Sequence, residues 1–301
     1  MLSRYIVPMT YTYIDTDEKI IEAVPHFEEK ERIAVDFEGE FNLHVYGEHL
    51  CLIQVFDGES FFIIDPRAAG VTPKGLEVFF SSSVRKLWFD CQSDASLVYK
   101  AYGLRINNIF DIRVVAEALG FHGNLKSLEE TYLGIRNDLN KKKNQQANWL
   151  KRPIPEEQIE YALEDVAHLP ELEDVLSPIA EEKNLEKQIA AAMKKATAAK
   201  KPLPGWTRIG GWKLLSKEEK VYARQIFIAR DRIARRFNVP ASRVMDKHQI
   251  SALAKARPSS EAKLASILQN ESERFRSILI PAVWNAILSS AEELRSERQN
   301  G

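Results

Sequence analysis

Apolar residues follow two rhythms along this chain, and the rhythm changes near residue 124. Before that point, short apolar runs alternate with amphipathic stretches. Ile20, Ile21, Val24 and Phe27 share one face of a helix over 17–30. Ile33-Ala34-Val35 opens a buried strand at about 32–38, which Gly39 is expected to end. Cys51–Phe56 and Phe61–Asp65 read as two further strands, with Asp57-Gly58-Glu59-Ser60 as the hairpin turn between them. Helix and strand then alternate: helix 76–82, strand 86–89, helix 93–102, strand 106–110, helix 111–119. Three early strands followed by this alternation predict an α/β unit, a mixed sheet flanked by helices.

From 124 onward only helical spacing remains. Ser127-Leu128-Glu129-Glu130 carries a capping signal that predicts a helix start. Residues 140–146 form a polar, basic loop. Pro153 and Pro155 precede one long predicted helix, 156–183, with Glu156 and Glu157 in its first turn, where acids suit the helix dipole. Residues 190–204 read as an Ala/Lys helical connector that runs into the turn Pro202-Leu203-Pro204-Gly205. The expected domains are therefore 1–204 and 205–301. The second is all-helical, with helices at 217–237, 248–256 and 260–269. One or two more stretches follow in 273–296, interrupted by Pro281.

Charge adds a feature that the pattern does not show. The formal net charge is only −1, yet residues 201–301 carry 19 Lys and Arg against 10 Asp and Glu, leaving 23 against 33 in the first 200. An acidic front joined to a basic rear suggests a polyanionic partner for the rear, although a basic helix face can equally be a solvated surface. No apolar run approaches a membrane span, and no signal peptide is visible at the N-terminus. Cys51 and Cys91 stand far apart without a Cys-x-x-Cys pair, which fits a reducing cytoplasm and two small core residues.

Acids supply the candidate chemistry. Asp36 and Glu38 sit two apart at the end of a buried strand, so their carboxylates share one face. Such a pair either emerges into solvent or requires a compensating cation. Asp94 starts a helix after a strand, Asp111 directly follows another strand, and Tyr161 and Asp165 stand four apart on one helix face. Taken singly, Asp94 and Asp111 read as helix N-caps and Asp165 as an exposed helix acid. The joint order is more specific: Asp-x-Glu on a strand, Asp on a following helix, then Tyr-x-x-x-Asp on a helix.

In these motifs the chain resembles the ribonuclease D family, 3′–5′ exonucleases of the DEDD superfamily in the subgroup whose last motif carries Tyr. The resemblance rests on Val35-Asp36-Phe37-Glu38-Gly39, on residues 86–95 around Asp94, and on residues 155–166 around Tyr161 and Asp165. Phe110-Asp111 and residues 148–153 add further landmarks. Leu215-Ser216, the arginine-rich stretch 230–236 and Val239-Pro240 resemble a helicase-and-RNase-D C-terminal (HRDC) domain. One departure stands out: Phe89 occupies a position where the family often carries His.

The resemblance implies a ribonuclease H-like exonuclease fold followed by an HRDC-like helical domain. It implies that Asp36, Glu38, Asp94 and Asp165 ligate two divalent cations, Mg²⁺ or Mn²⁺, with Asp36 shared between them. Tyr161 would orient the attacking water; with an ordinary pKa near 10 it is a poor base at neutral pH. The implied activity is removal of 5′-mononucleotides from RNA with a free 3′-OH end, tRNA precursors among them, with no organic cofactor and no membrane partner. A DNA 3′–5′ exonuclease and a catalytically inactive nucleic-acid-binding scaffold are the alternatives. Candidate RNA contacts are Lys141, Lys142 and Lys143 in the basic loop and Arg230, Arg232, Arg235 and Arg236 in the rear domain. A monomer is the default expectation.

Overall fold

A computed structural model describes residues 10–135, 147–198 and 203–300. The chain divides into two compact units, Met1–Glu40 with Glu48–Lys201, and Phe41–Gly47 with Pro202–Gly301. The break thus lies slightly earlier than the proline-rich turn suggests, and a short loop from the first third of the sequence groups with the rear unit.

In the first unit six strands form one sheet: β1 (Tyr11–Ile14), β2 (Arg32–Phe41), β3 (Glu48–Phe56), β4 (Phe61–Ile64), β5 (Arg85–Trp88) and β6 (Ile109–Asp111). Their order is β1-β4-β3-β2-β5-β6. β3 and β4 run antiparallel, whereas β1/β4, β2/β5 and β5/β6 are parallel, so the sheet is mixed as expected. β1 escapes the pattern because only Ile14 of its four residues is buried.

Side chains of β2 alternate between two cores. Ile33, Val35 and Phe37 pack with α1 (Asp17–Glu28), α2 (Pro73–Ser81) and α3 (Gln92–Tyr102). Ala34 packs on the other face, among residues of α4 (Ile112–Ala118), α5 (Leu125–Leu133), α6 (Glu156–Ala167) and α7 (Leu169–Glu182). Asp36 and Glu38 share the parity of Ala34, which turns them toward the face where α5 and α6 lie.

Several boundaries differ from expectation for identifiable reasons. β2 continues through Gly39 to Phe41, and Glu40 is buried. A strand with neighbours on both sides tolerates one glycine. Ile21 is exposed, so the buried stripe of α1 is narrower than its apolar spacing suggests. α5 begins after Asn124, whose side chain accepts from Ser127 N–H at 2.9 Å; Asn caps at least as well as Ser, so the helix starts one turn early. The long helix is split at His168. Pro170, near the start of α7, lacks the N–H that would continue the α6 ladder. α8 (Glu186–Ala196) supplies the helical part of the connector.

The second unit is built on α9 (Lys217–Phe237), which opens with a capping box between Ser216 and Glu219 and closes at Asn238 in the left-handed region. α10 (Ala241–Val244), α11 (Lys247–Ala256), α12 (Glu261–Ile267) and α13 (Glu273–Asn300) follow. Pro281 does not interrupt α13. Buried Leu279 and Val283 flank it within the core that α9 shares, and that packing holds both halves in line. Among the described residues, no helix is long and apolar enough to cross a membrane.

Candidate active site

β2 delivers two of the acids. Asp36 and Glu38 project from one face of a central strand, and α6 brings Asp165 to meet them. These three residues each offer a carboxylate oxygen, all within 4.8 Å of one another. α6 is held against the sheet by buried Ile159, Ala162, Leu163 and Val166, which leaves Tyr161 and Asp165 on the adjoining stripe. Tyr161 packs beside Trp149, ring centroids 6.4 Å apart.

Asp94, on α3, stands outside that 4.8 Å group but close enough for its charge to act on Asp36 and Glu38. It is not the N-cap of that helix; Cys91 holds the cap position without a side-chain bond, and Asp94 lies in the first turn. Its Oδ2 accepts from Trp88 Nε1 at 2.8 Å, an anchor supplied by the strand before the helix. Asp111 fixes the connection between them. Its Oδ1 accepts from Asp90 N–H and Arg113 N–H and its Oδ2 from Cys91 N–H, so one carboxylate caps α4 and also holds the β5–α3 turn. Asp111 is therefore a scaffold residue, and Asp90 takes a left-handed φ of 64° in the turn that it stabilises.

Electrostatics distinguish Asp36, Glu38 and Asp94 from ordinary surface carboxylates. Burial, then the charges of Asp94 and Asp165, push the Asp36 carboxyl well above its usual range, against opposing pulls from the Phe37 N–H and Lys126. Glu38 is raised in the same way, first by burial and then by Asp36, Asp165 and Asp94. Burial also pushes Asp94 up to about 7, despite the Trp88 bond. Acids this close destabilise one another's charge, and a divalent cation relieves that cost. The donor set fits such ions: carboxylate oxygens converge from β2 and α6, with Asp94 adjoining and no sulfur or imidazole in the group, a set suited to Mg²⁺ or Mn²⁺.

Two supporting features are not apparent from the residue pattern. Lys126, on the first turn of α5, places Nζ 3.0 Å from Asp165 Oδ1. Arg152 makes a two-pronged pair with Asp65 and also donates to the carbonyls of Trp149 and Cys51. That staple ties the segment leading into α6 to β3 and to the end of β4. Neither pairing has a sequence signal, because the partners are 39 and 87 residues apart.

The domain comparisons agree with this geometry. Residues 11–181 match a family model described as 3′-5′ exonuclease, and residues 219–278 match an HRDC domain. The chain belongs to the 3′–5′ exonuclease family. It is 24% identical over 258 residues to ribonuclease D of Nitrobacter hamburgensis, covering 81% of this chain and 66% of that one. Across four such ribonuclease D relatives the chain spans 57% to 66% of their length. Among solved structures, the catalytic core of RRP6 from Trypanosoma brucei superposes with a TM-score of 0.73 at 25% identity, covering 96% of this chain and 82% of that one. Escherichia coli RNase D, an exoribonuclease involved in structured RNA processing, shares the fold with a TM-score of 0.71 at 23% identity, covering 92% and 75%.

The expected RNA contacts fare unevenly. Arg230 is a correction: it is only 6% exposed, stacked over Phe227 and paired with Asp231, so its charge is spent inside the helical unit. Arg235 is exposed but lies over the Tyr46 ring of the same unit, with Nη2 3.4 Å from the hydroxyl. Arg232 and Arg236 are exposed on α9. Lys141, Lys142 and Lys143 lie outside the described residues. Phe89, at the position where the family often has His, packs against the α4–α7 core.

Proposed function

We propose that the chain is a metal-dependent 3′–5′ exoribonuclease that removes 5′-mononucleotides from RNA ends. The observation that carries this reading is the convergence of Asp36, Glu38 and Asp165 within 4.8 Å on a 3′–5′ exonuclease fold. Asp36, Glu38, Asp94 and Asp165 would hold divalent cations, Mg²⁺ or Mn²⁺. When bound, such ions activate a water and stabilise the departing 3′ oxygen of an in-line displacement. Tyr161 works by position. It shares a face of α6 with Asp165, is braced by Trp149, and its hydroxyl orients the attacking water. Trp88 keeps the Asp94 carboxylate aimed, and the Asp111 turn keeps Trp88 and Asp94 in register.

The rear unit supplies sequence-independent affinity for the RNA backbone, with Arg232 and Arg236 as its exposed cations and a steep salt dependence as its signature. Structured RNAs with short 3′ extensions, tRNA precursors among them, are the substrate class. The test is incubation of the purified chain with matched RNA and DNA 3′ ends, with Mn²⁺ or with EDTA. Mononucleotides released from RNA, dependent on Mn²⁺ and lost in Asp36→Ala, are the expected result. Equal release from DNA removes the ribose preference, and no release from either polymer removes the catalytic reading.

A further inference from the structure

Four carboxylates gathered in one partly buried site pose a problem before any metal arrives, because mutual repulsion should open the site or force protons onto it. The fold contains a partial answer in α5. Asn124 caps that helix and sets its first turn, and from this turn Lys126 reaches across to α6. Its ammonium lies 3.0 Å from Asp165 Oδ1 and 3.5 Å from Glu129 Oε2, and it sits 3.5 Å from the Glu164 carbonyl. Glu129, one turn further along α5, is only 1% exposed.

We propose that Lys126 is a built-in counter-cation of the acid site, a positioning residue that holds Asp165 in place while the site is metal-free and that weakens divalent-ion binding by competing with it. The inference rests on the reading of these acids as metal ligands and adds what sets their affinity. Two opposed effects follow from one ammonium. It orders the Asp165 carboxylate, which favours metal binding, and it repels an incoming dication, which disfavours it. For metal affinity, ordering is the smaller of the two, because Asp165 already stands on a packed helix between buried Leu163 and Val166. Repulsion between a unit charge and a dication a few ångströms apart in a screened protein site is the larger effect. Glu129 serves the same device. Its Oε2 lies 3.5 Å from the ammonium on the same helix, so Lys126 keeps a carboxylate partner when metal displaces it from Asp165.

Replacing Lys126 with Met keeps the stem and removes the charge. Free Mn²⁺ is measured by electron paramagnetic resonance during titration of the full chain, and Tm is recorded in EDTA and at saturating Mn²⁺. Lys126→Met should bind Mn²⁺ about tenfold or more tightly than wild type, the scale expected for losing one nearby positive charge. Its Tm should fall in EDTA and recover with Mn²⁺, so that the metal-induced rise exceeds that of wild type. Lys126→Arg, which keeps the charge, should stay close to wild type in both measurements. Should Lys126→Met fail to fold, Lys126→Gln carries the same comparison.

An Mn²⁺ affinity for Lys126→Met within twofold of wild type, or weaker, overturns the proposal. Equal Tm losses with and without Mn²⁺ also overturn it, and they reduce Lys126 to a packing residue. Asp36→Ala separates the levels: if it loses Mn²⁺ binding while Lys126→Met matches wild type, only the counter-cation role fails. If wild type and Asp36→Ala bind Mn²⁺ equally, the acids are not the metal site and both readings fail.

Discussion

Two carboxylate sites on the same sheet solve the problem of burial in opposite ways. At the end of β4, Asp65 is 2% exposed and fully partnered: Arg152 grips both its oxygens, the Tyr13 hydroxyl donates at 2.6 Å, and Arg67 N–H donates at 2.8 Å. Burial alone would raise its pKa, yet these partners hold it below the usual carboxylate range. On β2, Asp36 and Glu38 face Asp165 and Asp94 with Lys126 as the nearby cation, and burial together with repulsion drives their carboxyls the other way. A carboxylate used to build the fold brings its own counter-charge. The acids proposed for chemistry are held by rigid elements around a single nearby ammonium, with more negative charge than it neutralises, at some cost in stability.

The most severe way to break that contrast is to remove Asp36. Asp36→Ala removes one of the proposed metal ligands, and Mn²⁺-dependent mononucleotide release should fall at least about a thousandfold, ~4 kcal/mol of transition-state stabilisation. The fold should persist by circular dichroism. At the other site the effect should appear in stability instead. Asp65→Asn strands the Arg152 guanidinium and should cost about 3 kcal/mol in urea denaturation followed by Trp fluorescence. The pH dependence has a definite sign. Because the folded-state pKa of Asp65 is depressed, its contribution is complete above the unfolded value near 4 and is lost as pH falls through the lower folded value. Asp65→Asn should therefore show a smaller difference from wild type at strongly acidic pH than at neutrality.

Tyr161→Phe should leave Mn²⁺ binding unchanged and lower turnover about a hundredfold, the penalty expected for a mispositioned nucleophile. A wild-type rate in that variant would remove the water-positioning role. The smallest effect sharpens the comparison most. Asp36→Asn removes one repelling charge, so in EDTA it should raise stability by about 1 kcal/mol even as it abolishes activity. A loss of stability there would mean that Asp36 is a structural acid like Asp65.

Residue order alone was sufficient for most of the periodic elements and for setting Asp36 with Glu38, and Tyr161 with Asp165, on shared faces. Strand and helix periods report which side faces a core, and Asp-x-Glu on a strand or Tyr-x-x-x-Asp on a helix places its members on one face by local geometry. Helix α9 was legible for the same reason, since its cap and apolar spacing are local. Burial of Arg230 was not legible, because an arginine inside a basic helix reads as solvated until its neighbours Phe227 and Asp231 are seen to enclose it. Nor was the start of α5 or the break at His168, where competing local signals lie within a few residues of one another.

Tertiary structure decided everything that depends on partners distant in the chain. It brought Asp165 to Asp36 and Glu38 across more than a hundred residues, set Arg152 against Asp65, and placed Lys126 beside Asp165. The physical reason is the range of the interactions. Backbone periodicity acts over a few residues and is written in the order of side chains. Charge compensation acts through space, so whether a buried acid is satisfied or left in need of a cation becomes fixed only when the sheet and its helices close around it.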